Sequence, residues 1–199
     1  MMKKPAVTEV PIHPLIAERW SGRAFDETKT VTREQVISLL EAARWAPSCY
    51  GDQPWRFVVW HRTQDPQGWE KAFATLWPFN QAWVKRASLL VLVCADPIFS
   101  YNGEPNAWAE YDCGAAAENL CLQAVALGLM SHPMAGFDPE ALRAVAGVPE
   151  RYKIVSLIAV GHPAEPDVLD GELAEKERAP RERRPLAELC FAGKWGKSL

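Results

Sequence analysis

The stretch "LLEAARWAPSCYGDQPWRFVV", residues 39–59, holds a helix end, a loop and a strand start in direct succession. Val36, Leu39, Leu40, Ala43 and Ala46 keep helical spacing. Thr32-Arg-Glu-Gln35 predicts a capping box that opens this helix, and Pro47 closes it. "SCYGDQP" (48–54) reads as a loop, and "RFVVWH" (56–61) as a buried strand. Working outward, Pro14 and Gly22 bound a short helix over 14–20. Helices are expected after Asp65-Pro66 to about Leu76, and from Asn80 to Arg86. "SLLVLVCA" (88–95) and "KIVSLIAVG" (153–161) are further apolar strands, and 129–136 is an extended segment. Asp138-Pro139 starts a helix that ends before Gly147. The pattern predicts a mixed α/β or α+β fold with no internal repeat.

The helix expected over 107–127 is small and apolar nearly all round, with only Glu118, Asn119 and Gln123 polar from Cys113 to Leu129. Such a helix is expected to be buried on every side. A chain of 199 residues can barely wrap it, so a second copy is expected to cover part of it. His162 to Pro185 shifts to Pro, Glu, Asp and Arg and reads as an exposed connection. "PLAELCFAGKW" (185–195) turns apolar again, as an arm that packs on another surface would.

Composition narrows the chemistry. A net charge of −3 argues against nucleic-acid binding. No apolar run reaches membrane-spanning length, and the first residues lack the apolar core of a secretion signal, so a cytoplasmic protein is expected. Cys49, Cys94, Cys113, Cys121 and Cys190 are odd in number and scattered, which disfavours a disulfide framework or a zinc site. Metal-binding motifs, G-x-S-x-G, G-x-G-x-x-G and the P-loop are all absent. Asp96 and Asp112 read as caps. Two basic knots stand out: "RWSGRAF" (19–25), with Arg19, Ser21 and Arg23, and "RERR" (181–184), with Arg181 and Arg183. Arginine forks suit phosphate oxygens, although surface ion pairs account for the spacing equally well.

Taken with "LCLQAVALGLMSHPMAGFD" (120–138), these stretches and 39–59 follow the order found in the nitroreductase family, which the chain resembles over roughly 12–195. The resemblance implies an α+β sandwich: a central, mostly antiparallel sheet wrapped by helices, in an intertwined homodimer. It implies one domain over 12–195, with 163–199 as an extended C-terminal arm. It implies bound FMN, with NAD(P)H as hydride donor and a nitroaromatic, quinone or similar small molecule as acceptor in a ping-pong cycle; no metal, membrane or nucleic acid takes part. Arg19, Ser21 and Arg23 would hold the phosphate and ribityl chain, with Trp20 contributing backbone. Pro47, Ser48 and Gln53 would reach the flavin from the other subunit. Gly51 stands where the family often has Asn. Asn80 would bond the pyrimidine edge of the ring. The backbone at Met134, Ala135 and Gly136 would face the ring, although Ala135 replaces a frequent Glu. Arg181 and Arg183 would close on the phosphate. No residue is expected to act as acid, base or nucleophile, because the flavin carries the chemistry. A dehalogenase or oxidase of the same fold, a flavin-binding protein with little turnover, and a flavin-free interaction protein are the alternatives.

Overall fold

The structure is a computed structural model and describes residues 3–199. Four strands form one sheet: β1 (Trp55–His61), β2 (Leu89–Ala95), β3 (Met130–Met134) and β4 (Lys153–Gly161). They lie in the order β1-β2-β4-β3, and every pairing is antiparallel. Val58 and Leu157 flank Leu92 across the two central ladders, and a register shift falls between Val93 and Cys94.

Strand alternation separates two cores. Leu90, Leu92 and Cys94 point to one face, among Trp60, Trp69, Trp83, Leu142 and Leu157. Leu89, Val91, Val93 and Ala95 point to the other, among Leu39, Ala43, Cys113, Ala116, Leu120 and Ala124. The first face is covered by α3 (Pro66–Ala74), α4 (Pro78–Val84) and α6 (Pro139–Ala146); the second by α2 (Arg33–Arg44) and α5 (Ala109–Ala126). All of β2 is therefore buried, as its unbroken apolar run requires. This is the expected α+β sandwich.

Local chemistry sets the helix starts. The Thr32 hydroxyl accepts from Gln35 N and the Gln35 side chain accepts from Thr32 N, closing the predicted box. The Asp65 and Asp138 carboxylates cap α3 and α6 more simply, accepting from backbone N–H groups of the first turn, and Gly147 ends α6 at φ 64°. Two sequence readings, the extent of the first helix and the exposed connection, need correction. The first helix, α1, covers only Pro14–Glu18; Arg19 is already extended. Helix α5 is buried along one side, at Asp112, Cys113, Ala116, Leu120, Cys121 and Ala124, while Tyr111, Gly114, Glu118 and Ala126 on its other side are exposed. Within one chain the sheet, α2 and α1 supply its cover. The stretch read as an exposed connection contains α7 (Gly171–Arg178), whose Ala174 and Glu177 are buried. Its polar sequence hid it, because few apolar residues mark its buried side.

Candidate functional site

After α1 the chain turns through Arg19–Arg23 and then runs antiparallel to the exit of β4. Ala164 N donates to Ala24 O and Asp26 N to His162 O, each at 2.8 Å. This lays the first basic knot against the sheet edge beside β3. His132 on β3 bonds Gly22 O through Nδ1 at 3.1 Å, and its ring lies 4.5 Å from that of Trp83. Trp83 Nε1 donates to Asn80 Oδ1 at 3.2 Å, and Asn80 Nδ2 donates to Gly136 O at 3.0 Å. One continuous chain of contacts thus joins the first knot to Asn80 and to the turn after Met134.

Gly136 is required at that turn. A Cβ there would lie 2.5 Å from Asn80 Nδ2. Asn80 is only 7% exposed, and its amide secures the turn. Met134 is buried at the end of β3, and Ala135 is exposed.

The second knot comes to the first. Arg181 Nη1 donates to Ala17 O at 2.8 Å and Lys4 O at 2.6 Å, so it clamps the chain two residues before Arg19. Burial, then the charges of Arg183 and Arg19, push the Arg181 pKa down. Lys4, which the sequence reading missed, joins the same field. Burial lowers its pKa; Glu177 opposes that, and Arg181 and Arg23 add to it. Lys4 Nζ sits 4.4 Å from the Trp20 ring centre. Arg19 pairs with Glu118 on α5 at 3.2 Å. The Arg23 guanidinium lies 5.9 Å from the Phe79 ring centre, and its Nε is buried with no hydrogen-bond partner. Arg183 bonds only its neighbour's carbonyl, Glu182 O, and is exposed. Cations gathered this closely repel one another and favour an anion among them.

Pro47, Ser48 and Gln53 stand apart from this cluster within the chain. Their loop is tied to α5 by Cys49 N donating to Asp112 Oδ2 at 2.9 Å. Asp52 Oδ1 accepts from Ser100 N at 2.8 Å. Asp112 therefore holds a loop and Asp96 an ion pair with Arg151, where caps were expected. Tyr50, Gly51 and Gln53 all take positive φ, at 53°, 68° and 53°. Tyr50 and Gln53 carry strain there, of the kind that clusters at functional loops. Tyr50 is exposed and packs on Phe99 and Tyr101, with ring centres at 6.0 and 5.4 Å.

Three of the cysteines are poorly suited to act as nucleophiles. Burial pushes the Cys94 and Cys121 thiols up to about 11 and Cys113 to about 12. Among the described residues, no group of three or more His, Cys, Asp or Glu could hold a metal ion. No helix among them is long and apolar enough to cross a membrane.

The model of the family described as "Nitroreductase family" matches residues 16–83 and 63–162. A crystal structure described as an oxidoreductase containing FMN is 36% identical, with 96% of each chain covered and a TM-score of 0.89. A crystal structure in complex with FMN, from Desulfovibrio desulfuricans, is 30% identical over 94% of this chain and 99% of its own, with a TM-score of 0.72. A NADH dehydrogenase from Thermus thermophilus is 32% identical over 184 residues, 77% of this chain and 82% of the relative.

Proposed function

The chain belongs to the nitroreductase family, and from that premise we propose that it is an FMN-dependent NAD(P)H oxidoreductase acting on small acceptors such as nitroaromatics and quinones. The observation that carries the reading is the convergence of Arg19, Arg23, Arg181 and Arg183 from opposite ends of the chain, with a buried Arg23 Nε left without a partner. That arrangement fits a phosphate monoester. The FMN-containing relatives support the same cofactor, and a NADH dehydrogenase among the relatives supports the donor.

When bound, FMN would supply the redox chemistry between NAD(P)H and the acceptor. The protein's part is to hold and orient. Arg19, Ser21, Arg23 and Arg183 would hold the phosphate and ribityl chain. Arg181 steadies the backbone before Arg19 and adds its charge to the cluster, and Trp20 lends backbone to the turn. Asn80 fixes the Gly136 turn, so that the backbone of Met134, Ala135 and Gly136 presents a set surface to the flat ring. His132 stays neutral and braces Gly22. Pro47, Ser48 and Gln53 serve the site of a second copy, in a homodimer that closes over the exposed side of α5.

An absorption spectrum of the purified protein before and after anaerobic NAD(P)H tests the reading. A flavin spectrum that bleaches is expected. Protein that stays colourless after incubation with FMN, or flavin that stays oxidised, refutes it. Arg183→Ala is expected to weaken FMN binding roughly tenfold to a hundredfold, the loss of one or two charge-assisted bonds. Flavin fluorescence titration measures this, and unchanged affinity removes Arg183 from the site.

A further inference from the structure

Behind the first basic knot stands a buried carboxylate that none of the roles above uses. Glu177 on α7 is 1% exposed. Its Oε1 accepts two consecutive backbone N–H groups, Arg23 at 2.8 Å and Ala24 at 3.0 Å. Its backbone carbonyl accepts Lys4 Nζ at 2.8 Å. The approach depends on Gly22, where a Cβ would lie 3.0 Å from Glu177 Oε1 and 2.2 Å from Met130 Sδ. The second oxygen, Oε2, has no hydrogen-bond partner among the described residues. Glu177 and Ser131 line a cavity of about 80 Å³ beside Lys4 and Trp20.

A buried carboxylate adds less stability than an apolar side chain of the same shape would. It also sets negative charge behind a site built for an anion. Its distinctive contribution is directional: two acceptor contacts fix the peptide planes of Arg23 and Ala24, and so the line along which the Arg23 side chain leaves the backbone. The same helix leads, after Arg178, into Arg181 and Arg183. Glu177 therefore fastens the element that carries the second knot to the turn that carries the first.

We propose that Glu177 is a positioning residue for the phosphate end of the cofactor site, which couples phosphate binding to the docking of α7 and the Arg181–Arg183 stretch. The inference rests on the FMN reading above. Coupling of this kind is reciprocal: the phosphate steadies the stretch as much as the stretch steadies the phosphate.

The test compares FMN with riboflavin, which lacks the phosphate, by fluorescence titration of the full-length flavin-free chain. Glu177→Ala is expected to weaken FMN roughly tenfold, the loss of one hydrogen bond to a charged group, and to leave riboflavin unchanged. Glu177→Gln, whose amide oxygen can accept from both N–H groups, is expected to restore the preference for FMN. Should Glu177→Ala not fold, Glu177→Asp, with its carboxylate drawn back by one methylene, carries the same expectation. FMN is also expected to slow tryptic cleavage within 181–184 in the wild type and not in Glu177→Ala. Equal loss of both flavins, no loss of either, or Gln behaving as Ala overturns the proposal. A wild-type chain that takes up neither flavin ends the FMN reading along with it. A wild type that prefers FMN, with that preference intact in Glu177→Ala, ends this proposal alone.

Discussion

His132 shows how much a single side chain contributes here. A carbonyl can only accept, so the contact with Gly22 O fixes the proton on Nδ1. Burial, then the Arg23 and Arg19 charges, push the His132 pKa from 6.5 down to about 4. In the unfolded chain the ring takes up a proton as pH falls through 6.5; in the folded chain it resists until about 4. Stability present at neutral pH is therefore lost between those values, by up to about 3 kcal/mol. Urea unfolding at pH 7 and pH 4.5 measures the loss, and His132→Gln is expected to flatten the difference. An equal pH dependence in both proteins refutes this role. Little of it was legible beforehand. His132 stands alone in "SHPM", and its partners lie 49 and 110 positions away in the chain, at Trp83 and Gly22.

At the scale of elements, the sequence read best where a local rule decides. The Thr32 box needs only residues 32–35, and it formed as predicted. Thr32→Ala is expected to cost about 1 kcal/mol, read as a lower urea midpoint with an unchanged slope. A cost near zero would mean that packing on α5 alone holds α2. The strands were legible for the same kind of reason, since an unbroken run such as "LLVLVCA" has no stable place except between two covered faces. Helix α7 escaped notice because one buried Ala and one buried Glu leave no apolar stripe. Yet that helix delivers Glu177 to the turn at Arg23. Helix α5 is small and apolar nearly all round, and a single chain covers one side of it, which leaves the other side for the second copy that its composition calls for.

At the scale of the molecule, the uncovered surface has a pattern. Trp108, Tyr111, Leu186, Leu189 and Trp195 are all exposed large apolar side chains. Beyond α7 the chain runs out through a short 3-10 turn at Leu186–Glu188, and Phe191 and Trp195 pack on each other at 4.8 Å. A surface of this kind suits the proposed homodimer, in which Pro47, Ser48 and Gln53 are expected to serve the basic cluster of the other copy. Sedimentation is expected to give twice the 22.2 kDa chain mass. Truncation after Arg184 is expected to shift the equilibrium toward monomer and to weaken FMN binding with it. A truncated chain that keeps both the mass and the affinity of the full chain refutes the arm's role.

The amino-acid sequence by itself determined the helix starts at Thr32, Asp65 and Asp138, the strand cores and the two basic knots, because each depends on the spacing of near neighbours, whereas the choice of an α+β sandwich came with the family resemblance. The tertiary structure alone decided that the knots meet, that Arg181 clamps backbone while Arg183 stays free, and that Glu177, His132 and Asn80 brace the turns between them. Those contacts join residues far apart along the chain, and only the pairing of β3 with β4 and the packing of α7 bring them within hydrogen-bond reach.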